Sequence, residues 1–370
     1  MASIVLSDCM QIPMRTPAYP AFGLTLVVNH ACNLRCSYCY TGDKFHAAMS
    51  PEMGRQAIRR AFASVFEGGV LQVGFFGGEP LIEAPSIGEW MKFARREAGA
   101  QGKRVRFNLT TNGTLVESEA GAVLMDSGVD LAISCDGTAG RHDKHRRDIH
   151  GGGSYARVEH TVRTLVRAGR VFTVVMVVRP DTLDELTCGL AHLRELGVTR
   201  FTLSLDVWTP WGAGDLGRLA RVVDDAAGLW SNWLPAVSID WFDTRIAVMA
   251  GLSAAGLDTR CGFGEGEIAV APSGRLYPCE RLVGDDRPGH PLQLAALAEE
   301  ETDFLGINSP CAGSGGACAA GAGCRCSNYI RTGSTANGDD LLRALDKAVH
   351  HSLERLISAS QSLNEGMPHE

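Results

Sequence analysis

Six strand-like runs alternate with helical patterns over the first two thirds of the chain, and this alternation limits the possible folds more than any other feature. Each run is short and rich in Val, Ile, Leu, Phe or Thr. The predicted strands are residues 24–29, 71–76, 104–109, 131–135, 171–178 and 201–205. The predicted helices between them are residues 51–67, 86–98, 117–127, 155–168 and 182–196.

Strict alternation of strands and helices predicts an α/β fold with a parallel sheet and right-handed crossover connections. An open doubly wound sheet and a barrel both satisfy this pattern, but six units are too few for the full eight-stranded barrel. In either architecture the ligand site forms at the carboxyl ends of the strands. We therefore expect the functional motifs to follow strands directly.

Composition excludes several classes of protein. The chain has 370 residues, a net charge of -7 and no polybasic block, so neither nucleic acid nor a membrane surface is expected as a primary partner. Its 12 cysteines are too few for a disulfide scaffold, and the first residues lack a secretory signal pattern. We expect a cytoplasmic protein in which clustered cysteines bind metal or act in catalysis.

The last third of the chain is organised differently. A Trp-containing helical stretch at 217–234 precedes an irregular region with six of the twelve cysteines, whose segment 312–323 contains only Gly, Ala, Ser and Cys. Such a segment cannot form a hydrophobic core, so we expect a bound group to order it. The predicted domains are an N-terminal extension (1–22), a barrel-like unit (23–215), a helical linker (216–259), a cysteine-rich domain (260–338) and a C-terminal helix (339–370).

Three cysteines directly follow the first predicted strand. Cys32, Cys36 and Cys39 have the spacing C-x3-C-x2-C. A structural zinc site normally has four protein ligands, and only His30 or His46 is near enough in sequence to be the fourth. Three thiolates suit an iron-sulfur cluster that keeps one iron open.

Here the chain resembles the radical S-adenosylmethionine (SAM) enzymes, whose signature is this cysteine spacing with an aromatic residue, here Tyr38, before the last cysteine. Further motifs of that family follow the later strands in the same order. They are Gly77-Gly78-Glu79-Pro80, Thr110-Thr111-Asn112-Gly113, Ser134-Cys135-Asp136-Gly137 and the stretch from His142 to Arg146, with Leu205 at the end of the sixth strand.

The resemblance implies a partial (β/α)6 TIM-like barrel that holds a 4Fe-4S cluster on the three cysteines together with SAM. It further implies that a 5'-deoxyadenosyl radical abstracts hydrogen from the substrate. The exposed backbone of the Gly77-Gly78-Glu79-Pro80 motif would meet the methionine amino group, and the Ser134-Cys135-Asp136-Gly137 element would contact the ribose. Arg146 would pair with the methionine carboxylate. The full set of residues that the resemblance places at SAM is Tyr38, Gly77, Gly78, Glu79, Asn112, Ser134, Asp136, Arg146 and Leu205.

The second cysteine group resembles a SPASM domain, which carries auxiliary iron-sulfur clusters. Cys261, Gly274 and Cys279 match the opening of that motif, and the remaining members of the group are Cys311, Cys318, Cys324 and Cys326. The later spacing departs from the family, and six cysteines are fewer than the eight that two clusters need. Two arrangements remain open: two clusters with three cysteines each, or one cluster with four cysteines and two spare. We favour two clusters, with Cys326 alongside Cys261 and Cys279, and Cys324 alongside Cys311 and Cys318.

Other candidate ligands have more ordinary interpretations. Asp339, Asp340, His350 and His351 could complete a cluster, although a place on a helix surface is the commoner fate of such residues. The isolated Cys9, Cys135 and Cys188 are expected to be small buried hydrophobic residues.

The resemblance predicts a maturase that modifies a ribosomally made precursor peptide or protein, forming a carbon-carbon or thioether crosslink with electrons from a reductant such as flavodoxin or ferredoxin. The alternative is oxidation of Cys or Ser to formylglycine, as in sulfatase maturation. A non-catalytic electron carrier would explain the cysteines but not the SAM motifs. Because only 22 residues precede Gly23, we expect the peptide to dock on the auxiliary domain or to arrive on a separate protein.

Glu280 is the candidate catalytic base. It directly follows Cys279, and an acidic residue at the matching position acts as the base in the sulfatase-maturing relatives. A side chain there can accept the proton that a substrate radical loses on oxidation. The competing interpretation is that Glu280 pairs with Arg281 or Arg275 and only steadies the loop.

Overall fold

A computed structural model describes residues 19–251, 263–297, 301–307 and 324–365, and a parallel sheet forms its centre. Six strands pair in chain order, each parallel to the next, as the sequence predicts. The strands are β1 (Tyr19–Asn29), β2 (Val65–Gly77), β3 (Arg104–Thr111), β4 (Val129–Ser134), β5 (Thr173–Val178) and β6 (Arg200–Leu205). This parallel α/β architecture confirms the predicted fold class.

Alternating burial explains why these segments are strands. In β5, the side chains of Val174, Met176 and Val178 are fully buried, whereas the residues between them are half-buried. Successive side chains of a strand point to opposite faces of the sheet. One face therefore packs against the helices, and the other faces the interior of the barrel-like unit. The buried apolar residues of the six strands belong to one hydrophobic core, except Val27 of β1, which packs with residues of the C-terminal strands and their turn.

Helices connect consecutive strands of the sheet. Those of the barrel-like unit are α1 (Pro51–Ser64), α2 (Ala84–Ala100), α3 (Ser118–Met125), α4 (Ala139–His145), α5 (Tyr155–Arg167) and α6 (Leu186–Glu195). The Ser50 hydroxyl caps α1 by accepting a hydrogen bond from the Met53 amide at 3.2 Å.

Two helical predictions need correction, and one helix was missed. The predicted helix 51–67 ends at Ser64, because β2 already begins at Val65. The predicted helix 182–196 is divided between a 3-10 turn at Pro180–Glu185 and α6, because Thr182 has a non-helical backbone. The short helix α4 was not predicted from the sequence, since its seven residues, five of them polar, carry no apolar periodicity.

The sheet extends beyond the six predicted strands on both sides. β7 (Ser238–Ile239) continues it next to β6, and β8 (Glu267–Val270) pairs in parallel with the other edge of β1. β9 (Arg275–Tyr277) and β10 (Ala295–Ala296) follow antiparallel, which completes ten strands in the described residues. The irregular region expected after residue 260 therefore contributes strands to the central sheet.

The remaining helices lie outside the barrel-like unit. They are α7 (Ala213–Trp233), α8 (Asp240–Met249), α9 (Arg325–Thr332) and α10 (Asp340–Glu365). α10 packs against α7, where the Ser352 hydroxyl donates to the Asp224 carboxylate at 2.9 Å. No helix within the described ranges combines the length and apolar character needed to cross a bilayer.

Candidate active site

The loop after β1 is held by backbone hydrogen bonds to its neighbours. The amide of Arg35 donates to the Arg147 carbonyl at 2.7 Å, and the amide of Ser37 donates to the His145 carbonyl at 3.0 Å. Leu34, in the middle of the loop, is buried. These contacts fix the path of the chain between the first two cysteines, so the thiols are presented by the folded backbone.

The three thiols of this loop lie close enough to influence each other's ionisation. Burial raises the pKa of Cys32, and raises that of Cys36 to about 11 although Arg146 opposes the shift. Burial also acts against the ionisation of Cys39, but hydrogen bonding from Thr41 and the charge of Lys44 lower its pKa overall. Cys39 is thus the most acidic of the three thiols.

The Gly-Gly-Glu-Pro and Asn-Gly turns support this loop. The amides of Gly78 and Glu79 donate to the Asn29 and Ala31 carbonyls at 2.8 and 2.9 Å. A side chain at Gly78 would place its Cβ 2.2 Å from the Ala31 oxygen, so the close approach requires glycine. The side-chain amide of Asn112 donates to the Cys32 sulfur at 3.8 Å.

Glu79 is buried and connects two strand ends. Its carboxylate accepts hydrogen bonds from the Thr111 hydroxyl at 2.6 Å and from the backbone amide of Asn112 at 2.7 Å. Burial raises its pKa although these hydrogen bonds oppose the shift. The structure therefore uses Glu79 to join the ends of β2 and β3.

Asp136 and Arg146, expected at different parts of SAM, contact each other. Arg146 Nε donates to Asp136 Oδ2 at 3.0 Å, and both side chains are almost fully buried. The Tyr38 hydroxyl donates to the same carboxylate, and the Val177 amide donates to Asp136 Oδ1 at 3.0 Å. Burial would raise the pKa of Asp136, but the positive charge of Arg146 lowers it to about 2.

Arg179 is a further charged residue that sequence reasoning missed. It follows β5 directly, and its guanidinium carbon lies 5.5 Å from the centroid of the Tyr38 ring, while that of Arg146 lies at 5.3 Å. It also forms ion pairs with Asp206 and Asp181. Its position after a strand was the signal that could have identified it, since the other motif residues share that placement.

Two other predicted SAM residues lie at the same edge of the sheet. Ser134 ends β4 and is half-buried, and Leu205 ends β6 and is buried. The carboxyl ends of β1 to β6 therefore bring together every motif predicted to bind SAM. The roles assigned to these residues stay predictions.

The second thiol group lies on the turn after β9 and at the start of α9. Cys324 Sγ lies 3.1 Å from Cys326 Sγ, and Cys279 hydrogen-bonds with Cys326. Buried Phe263, Leu282 and Leu292 surround Cys279 and Cys326. These three thiols form one group, and the expected division of Cys324 and Cys326 between two clusters stays a prediction.

Several predicted residues fall outside this second group or outside the described residues. Cys9, Cys261, Cys311 and Cys318 are outside the described ranges. Asp340 pairs with Arg343 and His350 with Glu354 on α10, as expected of helix-surface residues. Asp339 precedes this helix, is half-buried and pairs with Arg331. Cys135 is buried as predicted, but the prediction for Cys188 is wrong, because its position on α6 faces solvent.

Glu280 lies beside the second thiol group and near the first. The Cys279 thiol donates to Glu280 Oε2 at 3.6 Å. Burial raises the pKa of Tyr40, the residue after Cys39, and the negative charges of Glu280 and Cys279 raise it further. Arg275 pairs instead with Asp286 at 3.2 Å, and Arg281 contacts Ser327 and Cys326.

Comparison with known proteins agrees with this arrangement. Residues 26–187 match the model of the Radical SAM superfamily. This chain carries a radical SAM domain. It is therefore an enzyme whose cofactors are SAM and a 4Fe-4S cluster.

The radical SAM domain and the chain beyond it have relatives of known activity. The cysteine-type anaerobic sulfatase-maturating enzyme of Clostridium novyi (strain NT) is 24% identical over 277 residues, covering 69% of this chain and 72% of that enzyme. The PqqA peptide cyclase of Granulibacter bethesdensis is 24% identical over 371 residues, covering 92% of this chain and 91% of the cyclase. The solved structure of native anSMEcpe with bound AdoMet and Cp18Cys peptide has a TM-score of 0.73 at 18% identity, covering 93% of this chain and 100% of that chain.

The residues of the radical SAM domain fit a cluster with an open iron. Cys32, Cys36 and Cys39 supply three soft donors on one loop, and Asn112 donates a hydrogen bond to one of the sulfurs. In the described part of the chain no three His, Cys, Asp or Glu side chains converge as a single metal ion would require. A cluster presents a separate iron to each thiol, so donors spread along a loop suit it.

Proposed function

We propose that this protein is a radical SAM peptide maturase that removes two hydrogens from a ribosomally made precursor peptide to form a crosslink. The observation that carries the proposal is the position of Glu280. It contacts Cys279 of the second thiol group and acts electrostatically on Tyr40, next to Cys39 of the first. A carboxylate between two thiol groups suits a reaction that needs hydrogen abstraction, proton removal and electron removal in one place.

The site residues divide by role. Cys32, Cys36 and Cys39 hold the radical SAM cluster, and Asn112 fixes the Cys32 sulfur. When bound, the cluster and SAM supply a 5'-deoxyadenosyl radical that takes a hydrogen atom from the peptide. The proposed SAM contacts are Tyr38, Gly77, Gly78, Glu79, Asn112, Ser134, Asp136, Arg146 and Leu205.

The second thiol group holds an auxiliary cluster in this proposal. Cys279, Cys324 and Cys326 supply three of its ligands. The contacts of Cys326 with Cys324 and with Cys279 support one cluster on these cysteines over the arrangement that separates Cys324 from Cys326. Glu280 would accept the proton that the peptide radical loses, and an auxiliary cluster held by these cysteines would supply the acceptor for the remaining electron. Cys261, Cys311 and Cys318 stay candidate ligands from the sequence, and flavodoxin or ferredoxin stays the proposed reductant.

A second function has its own support. The sulfatase-maturating enzyme from Clostridium novyi and the anSMEcpe structure both resemble this chain. Oxidation of a peptide Cys or Ser to formylglycine needs the same abstraction of hydrogen, proton and electron. The two functions differ in the peptide that is accepted and in the atom that meets the substrate radical.

Anaerobic reconstitution with iron, sulfide, SAM and dithionite tests the proposal. We expect 5'-deoxyadenosine to form. If a short precursor-peptide gene lies beside this one, deoxyadenosine should increase with that peptide, and the peptide should lose the mass of two hydrogens. Formylglycine in a Cys-containing peptide like that bound to anSMEcpe would favour the second function. Absence of deoxyadenosine from protein with a full complement of iron would contradict both.

A further inference from the structure

Three side chains from distant parts of the chain meet between the two thiol groups, and we call them the Arg281 junction: Tyr40, Trp208 and Arg281. The rings of Tyr40 and Trp208 stack with their centroids 4.4 Å apart and their planes 1° from parallel. The guanidinium carbon of Arg281 lies 4.8 Å from the Trp208 centroid and 5.8 Å from the Tyr40 centroid. Both distances are within the range of cation-π attraction.

The other side of the Arg281 guanidinium faces the second thiol group. Its Nη1 donates to the Cys326 sulfur at 3.8 Å and to the Ser327 hydroxyl at 3.1 Å. Burial would lower the pKa of Arg281, but the negative charges of Cys326 and Tyr40 hold it well above its usual range. The cation is therefore held between aromatic rings and sulfur.

The segment that carries Trp208 is held by hydrogen bonds on two sides. The Trp208 amide donates to Asp206 Oδ1 at 3.0 Å, immediately beyond β6. One residue further on, the Thr209 carbonyl accepts a hydrogen bond at 3.0 Å from Arg331 of α9. Tyr40 directly follows Cys39 in the loop of the first thiol group. Trp208 thus provides a rigid surface against which Arg281 keeps one orientation.

We propose that Arg281 is a positioning residue for the auxiliary thiols, and that the Tyr40–Trp208 ring pair fixes its direction. The inference rests on the proposed auxiliary cluster at Cys279, Cys324 and Cys326. A fixed cation that donates to a cluster sulfur stabilises the more negative, reduced form, because hydrogen bonds to sulfur and local charge set the potential of a cluster. Lys could keep the charge but not the planar stacking on the rings.

The test uses full-length protein in which Cys32, Cys36 and Cys39 are replaced by Ala, so that only auxiliary iron remains. Redox titration followed by visible absorption and electron paramagnetic resonance gives the auxiliary potential. We expect Arg281→Met to weaken the reduced form about tenfold, a shift of about 59 mV to lower potential for one electron. Arg287→Met is the matched control, because Arg287 is a 74% exposed cation in the same region and pairs with Asp285; it should leave the potential unchanged.

Trp208 variants test the second half of the inference without altering the cation. Trp208→Leu should shift the potential about threefold in the same direction, or about 28 mV, and Trp208→Phe should restore it. Because Trp208 acts through Arg281, the double variant should shift no further than Arg281→Met alone. Additive shifts would overturn the role of the rings.

The outcomes separate this inference from the proposed function. An unchanged auxiliary potential in Arg281→Met would overturn the inference and leave the auxiliary cluster in place. Loss of iron in Arg281→Met with retention in Arg281→Lys would support it, since the cation would then be needed to hold the thiols. Absence of iron from the parent lacking Cys32, Cys36 and Cys39 would contradict the proposed auxiliary cluster itself.

Discussion

The two thiol groups lie in one protein but are built by different means. The barrel loop carries Cys32, Cys36 and Cys39 within a short segment that backbone hydrogen bonds hold at the carboxyl ends of parallel strands. Cys279 and Cys326 are distant in sequence and meet through side-chain contacts inside a small apolar shell. The first group is thus a product of the fold, whereas the second depends on local contacts and on what it binds.

The two thiol groups also differ in how their surroundings affect the pKa values of their cysteines. In the first group burial raises the pKa of Cys32 and of Cys36, but hydrogen bonding from Thr41 and the charge of Lys44 lower that of Cys39. Hydrogen bonding with a neighbouring cysteine and burial raise the pKa of Cys324 and of Cys326. Metal binding requires thiolates, so iron loading at the second group releases protons from less acidic thiols and should be more sensitive to pH.

The largest effect should come from removing each group in turn. Replacing Cys32, Cys36 and Cys39 by Ala should abolish deoxyadenosine formation and leave auxiliary iron, because only the first group meets SAM. Replacing Cys279, Cys324 and Cys326 by Ala should leave deoxyadenosine formation and remove product. Chromatography of deoxyadenosine and iron analysis measure both, and SAM cleavage by the first variant would disprove the division of roles.

Arg146→Met should destabilise the barrel region strongly. It leaves Asp136 as an unpaired charge in the interior, which typically costs about 3–5 kcal/mol. Urea unfolding of the apoprotein under anaerobic conditions, followed by circular dichroism, measures the change. Arg157→Met is the control, because its ion pair with Asp148 is partly exposed and worth about 0–1 kcal/mol. Equal effects of both substitutions would show that the buried pair does not support the first thiol group.

Glu280→Gln should separate the two halves of the reaction. Glutamine keeps the shape and hydrogen bonding of the side chain but cannot take up the proton. Deoxyadenosine should still form, while crosslinked peptide falls by roughly two orders of magnitude. Glu265→Gln, an exposed carboxylate in the same region, should change neither product. Full product formation with intact auxiliary iron would exclude Glu280 as the base, and loss of that iron would favour a structural role.

The pH dependence of stability should also reveal the Asp136–Arg146 pair. The folded pKa of about 2 is below the unfolded value, so the pair contributes fully above about pH 4 and its contribution is lost as the pH falls towards 2. The contribution is about 2–3 kcal/mol for a shift of this size. Unfolding of the apoprotein between pH 5 and about 2 should be less steep in Asp136→Asn, and an unchanged slope would contradict the assignment.

The barrel was predictable because its signals are local and repeated. Six apolar runs with intervening helices define the parallel sheet, and the motifs follow strands as the carboxyl-end rule requires. The helix α4 and the two-residue strands β7 and β10 have too few residues to produce a periodic pattern. β8 is short and lies in a Gly-rich segment, so its pairing with β1 has no sequence signal.

The residues of the site could be predicted from the sequence, but the contacts between their side chains could not. The sequence identified Asp136 and Arg146, yet their contact with each other depends on how α4 returns the chain to the end of β4. Arg179, Trp208 and Arg281 carry no motif, and they become significant only when three distant segments meet. Side-chain pairing across elements is a property of packing, which spacing along the chain does not encode.

The parallel pairing of β8 with β1 has a consequence for synthesis of the chain. β1 emerges from the ribosome first among the described strands. Its partner β8 is synthesised only after the rest of the six-stranded sheet, and the two strands pair from Gly23 with Glu267 to Leu26 with Val270. During that interval β1 has an open edge, and such edges pair with other chains. Synthesis that stops before β8 should therefore yield insoluble protein even though every residue of the radical SAM domain is present.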